Sequence, residues 1–75
     1  MKLYVSEHCP DCPPAIALLE AKGIEVELIN ITSSMVNLKE FLNLRDTRSE
    51  FDEIKKEGCV GIPCLLKDNG TIEFL

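Results

Sequence analysis

Basic residues are scarce in this chain: eight Lys and Arg stand against thirteen Asp and Glu, for a net charge of −5. Binding a nucleic-acid backbone relies on Lys and Arg to neutralise phosphates, so this balance argues against it. It disfavours an anionic membrane surface for the same reason. No apolar run approaches the roughly 18 residues that a membrane-spanning helix needs. Met1-Lys2-Leu3-Tyr4-Val5 is too short for the apolar centre of a signal peptide and runs straight into motif-bearing sequence, so a cytoplasmic location is expected. Repeats, low-complexity tracts and linkers are missing too, and 75 residues leave no room for a separate cofactor module. One domain over residues 1–75 is expected. What the chain does have is cysteine, four in 75 residues. A core of this size supplies only about 3–5 kcal/mol, so a disulfide or metal staple would help it. In the cytosol, however, cysteine pairs are more often catalytic or metal-binding than structural.

The 45% hydrophobic and 28% charged content is that of a folded chain. Lys2–Val5 is a short β-prone run and predicts a first strand. The loop Ser6-Glu7-His8 leads to Cys9-Pro10-Asp11-Cys12-Pro13-Pro14. Ala15–Lys22 is strongly helix-forming, with prolines suited to its first turn and Gly23 placed for a left-handed C-terminal cap. Ile24–Leu28 alternates apolar and acidic residues, the period of a half-buried strand. Together these make a right-handed β-α-β unit with parallel strands. Met35, Leu38, Phe41 and Leu42 then recur at helical spacing. Leu44-Arg45-Asp46 is expected to break that helix, because Thr47-Arg48-Ser49-Glu50 matches a capping box for a further one bearing Phe51 and Ile54. Arg45, Arg48, Lys55 and Lys56 read as solvated helix faces. Asn69-Gly70, between Leu65–Asp68 and Thr71–Leu75, predicts a two-residue hairpin turn in which Leu65 faces Phe74 and Lys67 faces Ile72. The element order is β-α-β-α-(α)-β-β.

A Cys-x-x-Cys that follows a strand and opens a helix has a mechanical rationale. The helix N-terminus presents unpaired N–H groups and partial positive charge, which favour the thiolate of the first cysteine. Cys9 would attack a disulfide and Cys12, one turn on, would resolve the mixed disulfide. Pro10 stiffens the turn between them. A zinc half-site and an inert disulfide are the competing readings of the bare motif, and its place in a β-α-β unit favours redox. The carboxylate of Asp11 opposes a neighbouring thiolate, so the couple is expected to be more reducing than one with Tyr at that position. His8, when protonated, would counter this, although as a loop residue it need not act as a base.

Lys2–Cys12, with its Cys-Pro-x-Cys, resembles the start of a glutaredoxin, and Gly61-Ile62-Pro63 is similar to the Thr-Val-Pro segment of that family. The resemblance implies a thioredoxin-like α/β fold: a four-stranded mixed sheet in the order 2-1-3-4 flanked by helices. It also implies a cis Ile62–Pro63 bond beside the cysteine pair, with the backbone of Ile62 pairing with a substrate peptide or glutathione. Three features depart from the family pattern. Ser6 stands where a basic residue is usual, Asp11 stands where an aromatic is common, and the chain reaches Leu75 without the family's Gly-Gly-x-Asp segment and final helix.

Cys59 and Cys64 bracket the Gly61-Ile62-Pro63 segment, and three readings stay open for them. They are small semi-buried residues, auxiliary redox thiols near the first pair, or half of a four-cysteine metal site. The expected function is a small thiol–disulfide oxidoreductase with Cys9 and Cys12 catalytic and Ile62-Pro63 as the docking edge. The alternatives are a four-cysteine zinc or iron–sulfur module and a redox sensor without turnover. No tightly bound cofactor or metal is expected. The substrate would be a protein disulfide or a glutathione adduct, with glutathione or a reductase restoring the thiols. A monomer is expected, and Thr71–Leu75 offers an edge on which another chain could pair.

Overall fold

The computed structural model describes every residue, Met1–Leu75. Strands β1 (Lys2–Val5), β2 (Glu27–Asn30), β3 (Cys64–Leu66) and β4 (Ile72–Phe74) form one sheet in the order β2-β1-β3-β4. β1 and β2 are parallel and are joined through helix α1 (Cys12–Ala21); β3 is antiparallel to both β1 and β4. Helix α2 (Met35–Thr47), a 3-10 turn (Ser49–Phe51) and the short helix α3 (Asp52–Lys56) lead from β2 to β3. This is the thioredoxin-like arrangement, in the strand order that the resemblance implies. No helix is long and apolar enough to cross a membrane.

Successive strand residues point to opposite faces of a sheet, and that alternation gives this fold two small cores. Leu3, Val5 and Leu65 pack with Cys12 and Leu19 of α1 on one side. Tyr4, Ile29, Ile31 and Cys64 pack with Phe41 of α2 and Phe51 on the other. On this second side the rings of Tyr4, Phe41, Phe51 and Phe74 follow one another at centroid separations of 5.4, 5.8 and 5.0 Å. The contacts at Phe51 are edge-to-face, an orientation that the ring quadrupoles favour. The Tyr4 hydroxyl donates to the Glu40 carboxylate at 2.8 Å, which satisfies the polar end of a buried ring.

Three local features differ from the sequence reading. First, β2 begins at Glu27 rather than Ile24. The Glu27 N–H donates to the Met1 carbonyl and the Ile31 N–H to the Val5 carbonyl, each at 2.9 Å, so the ladder along β1 covers the later residues. Ile24 and Val26 pack against the α1 core from outside the strand.

Second, α2 does not break at Leu44-Arg45-Asp46 but runs on to Thr47. The Thr47 hydroxyl donates back to the Asn43 carbonyl at 2.7 Å instead of capping a new helix. Arg48, extended at φ −108° and ψ 130°, makes the break. Its guanidinium donates to Glu50 at 2.7 Å and to the Gly70 carbonyl at 2.9 Å, tying the end of α2 to the hairpin. That ion pair holds the Glu50 carboxyl below its ordinary range.

Third, the hairpin register is one residue away from the expected one: Cys64 faces Phe74, Leu65 faces Glu73 and Leu66 faces Ile72. Within the hairpin Gly70 alone takes positive φ, at 87°, and its N–H donates to the Lys67 carbonyl at 2.9 Å. The turn is therefore type I closed by a glycine bulge, which has one more loop residue than the two-residue form. A one-residue slip exchanges the faces of a strand. Here it carries Phe74 onto the Phe51 side and leaves Glu73 beside Lys67, at 3.1 Å.

Candidate active site

β1 ends at Val5, and the next residue is the one polar side chain in the core, Ser6. Its carbonyl accepts the Cys9 N–H at 3.1 Å and its hydroxyl oxygen accepts the His8 N–H at 3.1 Å. The same hydroxyl lies 2.8 Å from that of Thr32, whose own proton goes to the Asn30 side-chain oxygen at 2.8 Å. Ser6 is therefore the donor to Thr32. This chain of hydroxyls fastens the cysteine loop to the ends of β1 and β2, so the loop is held by both parallel strands. Asn30 and Thr32 belong to no motif that marks them in the sequence, and the pairing of β2 with β1 is what brings them to the loop.

Helix α1 opens at Cys12 with Asp11 as its N-cap residue, and the Asp11 side chain makes no capping hydrogen bond. The Cys12 N–H donates to the Cys9 carbonyl at 3.3 Å. Pro13 and Pro14 follow and have no N–H to offer. The unpaired donors expected at this helix end are thus largely removed by the prolines that start it, and what remains there is the dipole of the aligned peptides. Cys9 is partly exposed, whereas Cys12 is buried to 1% exposure. Burial, and then the hydrogen bond with the Cys9 thiol, push the Cys12 thiol up to about 11.

The Ile62–Pro63 bond is cis, as the resemblance implies. Pro63 is buried and Ile62 half-buried, and the Ile62 backbone N–H and carbonyl have no partner within the chain. A groove of about 410 Å³ separates the Cys9 loop from the Cys59–Ile62 segment, with Ile31 and Thr32 at its base. His8, Pro10 and Asp11 line the loop side, and Gly61 and Ile62 line the other. Those predicted site residues therefore share one groove with Cys9.

The far wall is held from behind by Arg45, whose Nε donates to the Val60 carbonyl at 2.9 Å and whose Nη2 donates to the Cys59 carbonyl at 2.6 Å. Arg45 is thus a clamp on the groove, not a free solvated charge. Gly61 adopts φ +104°, and a Cβ there would stand 3.0 Å from Cε1 of Phe51.

The second cysteine pair is divided between two environments. Cys59 is exposed and lines the groove with Cys9. Cys64 is fully buried in the aromatic core, on the opposite side of the sheet from Cys12. Burial, with Glu50 a smaller contributor, pushes the Cys64 thiol up to about 12. No three His, Cys, Asp or Glu side chains converge as a metal site. The separation of the cysteines across the sheet is the geometric reason that all four cannot share one ion.

The two buried thiols predict an alkaline loss of stability. Their ordinary value is 9.0, so an unfolded chain releases protons that the folded one retains. Stability is complete below about pH 9 and falls as pH rises towards the folded-state values, by up to about 1.4 kcal/mol per pH unit for each thiol. Urea unfolding of the reduced protein at pH values from neutral to about 10 should show this decline, with a shallower slope in Cys64→Ala. Equal slopes would contradict the assignment.

Comparison with known proteins agrees with this geometry. The family model described as Glutaredoxin matches residues 1–71. An uncharacterized protein of Haemophilus influenzae (strain ATCC 51907 / DSM 11121 / KW20 / Rd) is 43% identical over 70 residues, covering 93% of this chain and 81% of that protein. No solved structure matches significantly. The matched span runs from β1 through the Cys-x-x-Cys loop and the cis-proline segment to the closing hairpin, so this chain belongs to the glutaredoxin family.

Proposed function

We propose that the protein is a thiol–disulfide oxidoreductase that works by dithiol exchange through Cys9 and Cys12. The observation that carries this reading is the pairing of a partly exposed thiol in a groove with a fully buried thiol behind it. The Cys9 thiolate attacks one sulfur of a substrate disulfide, forming a mixed disulfide and expelling the other sulfur as a thiolate that takes up a proton. Cys12 then loses its proton and attacks the Cys9 sulfur, releasing the second substrate thiolate and leaving a Cys9–Cys12 disulfide. An external thiol or dithiol, from glutathione or a reductase, supplies the two electrons that restore the pair.

The free N–H and carbonyl of Ile62 offer an extended substrate segment one rung of a β-ladder beside Cys9. The substrate is a protein disulfide or a glutathione adduct, and the setting is a reducing compartment such as the cytoplasm.

The test uses a peptide disulfide and non-reducing mass spectrometry. Cys12→Ser should accumulate a mixed disulfide at Cys9. Cys9→Ser should lose that adduct and at least about 100-fold in turnover, since it lacks the attacking thiolate. Adducts on Cys59 alone would overturn the assignment. Oxidation of the pair without turnover in the presence of excess reductant would identify a sensor instead.

A further inference from the structure

Resting on the reading of Cys9 and Cys12 as the exchanging pair, we infer that the groove selects disulfides within extended protein segments whose neighbouring residues are apolar or positively charged, and that glutathione mixed disulfides are poor substrates. None of the residues lining the groove is Lys or Arg. Its ionisable side chains, apart from the thiols, are the Asp11 carboxylate and the single imidazole of His8, and Glu7 stands 3.6 Å from that imidazole. Arg45 is the nearby cation named in the clamp, but Nε and Nη2 are committed to carbonyls of the wall itself.

The Ser6 hydroxyl and the helix end beside Cys9 are committed as well, which leaves the His8 imidazole and main-chain N–H groups such as that of Ile62 as the groove's donors. The Ser6 hydroxyl accepts from His8 and donates to Thr32, so it has no proton left for a ligand. The helix end beside Cys9 has prolines at its second and third residues, and its first N–H is bonded to the Cys9 carbonyl. A glutathionyl group carries two carboxylates and one ammonium. Each carboxylate that enters the groove loses water beside the Asp11 carboxylate, with no Lys or Arg in the lining to offset that cost.

The same walls suit a different ligand. Ile31 and Ile62 offer apolar surface, and Val60 adds a side chain that is 54% exposed on the rim. Ile62 presents both of its backbone groups, which recognise an extended main chain whatever its sequence. Asp11 and the overall charge of −5 attract a cationic segment and repel an anionic one.

The experiment compares three disulfides, each with dithiothreitol as the reductant: a Lys-flanked peptide, a Glu-flanked peptide of the same length, and a glutathione mixed disulfide. The expected kcat/KM for the Lys-flanked peptide exceeds that for either anionic substrate by about tenfold at low ionic strength, with the gap closing in high salt. Asp11→Asn should narrow the ratio between the two peptides. Equal rates for all three, or preference for glutathione, would overturn the inference. A small neutral disulfide separates the two levels of failure. If it is turned over through Cys9 while the charge preference is missing, exchange chemistry stands and selectivity falls. If it is not turned over, both fall.

Discussion

Phe51→Ala is expected to leave the chain largely unfolded in water. Phe51 is fully buried, and its ring meets Phe41 at 5.8 Å and Phe74 at 5.0 Å, both edge-to-face. Truncating a buried Phe to Ala costs about 3–5 kcal/mol through lost transfer energy and the cavity left behind. A core in a chain of this size supplies only about that much. Collapse around the gap is obstructed, because Phe51 sits in the 3-10 turn between α2 and α3 and two of its neighbours are themselves rigid rings. Far-UV circular dichroism with urea titration should show little or no folded baseline. Phe74→Ala provides the contrast: that ring is already 37% exposed, so its loss should shift the midpoint without abolishing the transition. A Phe51→Ala transition near that of the parent would show that the aromatic stack contributes less than its geometry indicates.

Gly61→Ala should damage both the fold and the groove. At φ +104° an L side chain is strained, and the new methyl would stand 3.0 and 3.2 Å from Phe51 ring carbons and 3.3 Å from Ile54 Cγ2. Neither neighbour is a flexible chain end: the ring is locked in the aromatic core, and Ile54 packs against that core. Backbone strain and overpacking together are expected to cost about 2 kcal/mol or more. The chain relieves the contact most readily by moving residues 61 and 62, which form one wall of the groove. Exchange activity should therefore drop in whatever fraction remains folded. Gly58→Ala separates the two causes, since Gly58 has φ +74° and an added methyl there would meet no atom within 4 Å. It should lose stability through strain alone and retain activity. A Gly61→Ala protein with the same urea midpoint as Gly58→Ala would show that the Phe51 contact is harmless.

The features legible in the sequence are those set by neighbours along the chain. Helix α1 with cysteines at its start follows from strand, prolines and Ala/Leu content read in order. The cis-proline beside that pair follows from resemblance, since nothing local to Gly61-Ile62-Pro63 requires it. What escapes depends on partners far along the chain or on one dihedral. Arg45 looks like any exposed helix charge until the Cys59–Val60 carbonyls, more than a dozen residues on, are folded against it. The hairpin register turns on whether Asn69 as well as Gly70 takes positive φ, and only Gly70 does. At Thr47 the same hydroxyl can cap a following helix or bond back into the preceding one, and residue type does not choose between them.

The division of the core by strand alternation has a consequence for chemical safety. A sheet one residue thick acts here as insulation: oxidants that reach the groove meet Cys9 and Cys59, with Cys12 next in line behind Cys9, while Cys64 lies across the backbone among aromatic rings. Its shelter depends on parity, since Cys64 pairs with Tyr4 and shares that face. Inserting a single residue between Pro63 and Cys64 would turn the same thiol towards α1 and Cys12. A third cysteine would then be open to cross-linking, and Cys12 could be captured in a dead-end disulfide.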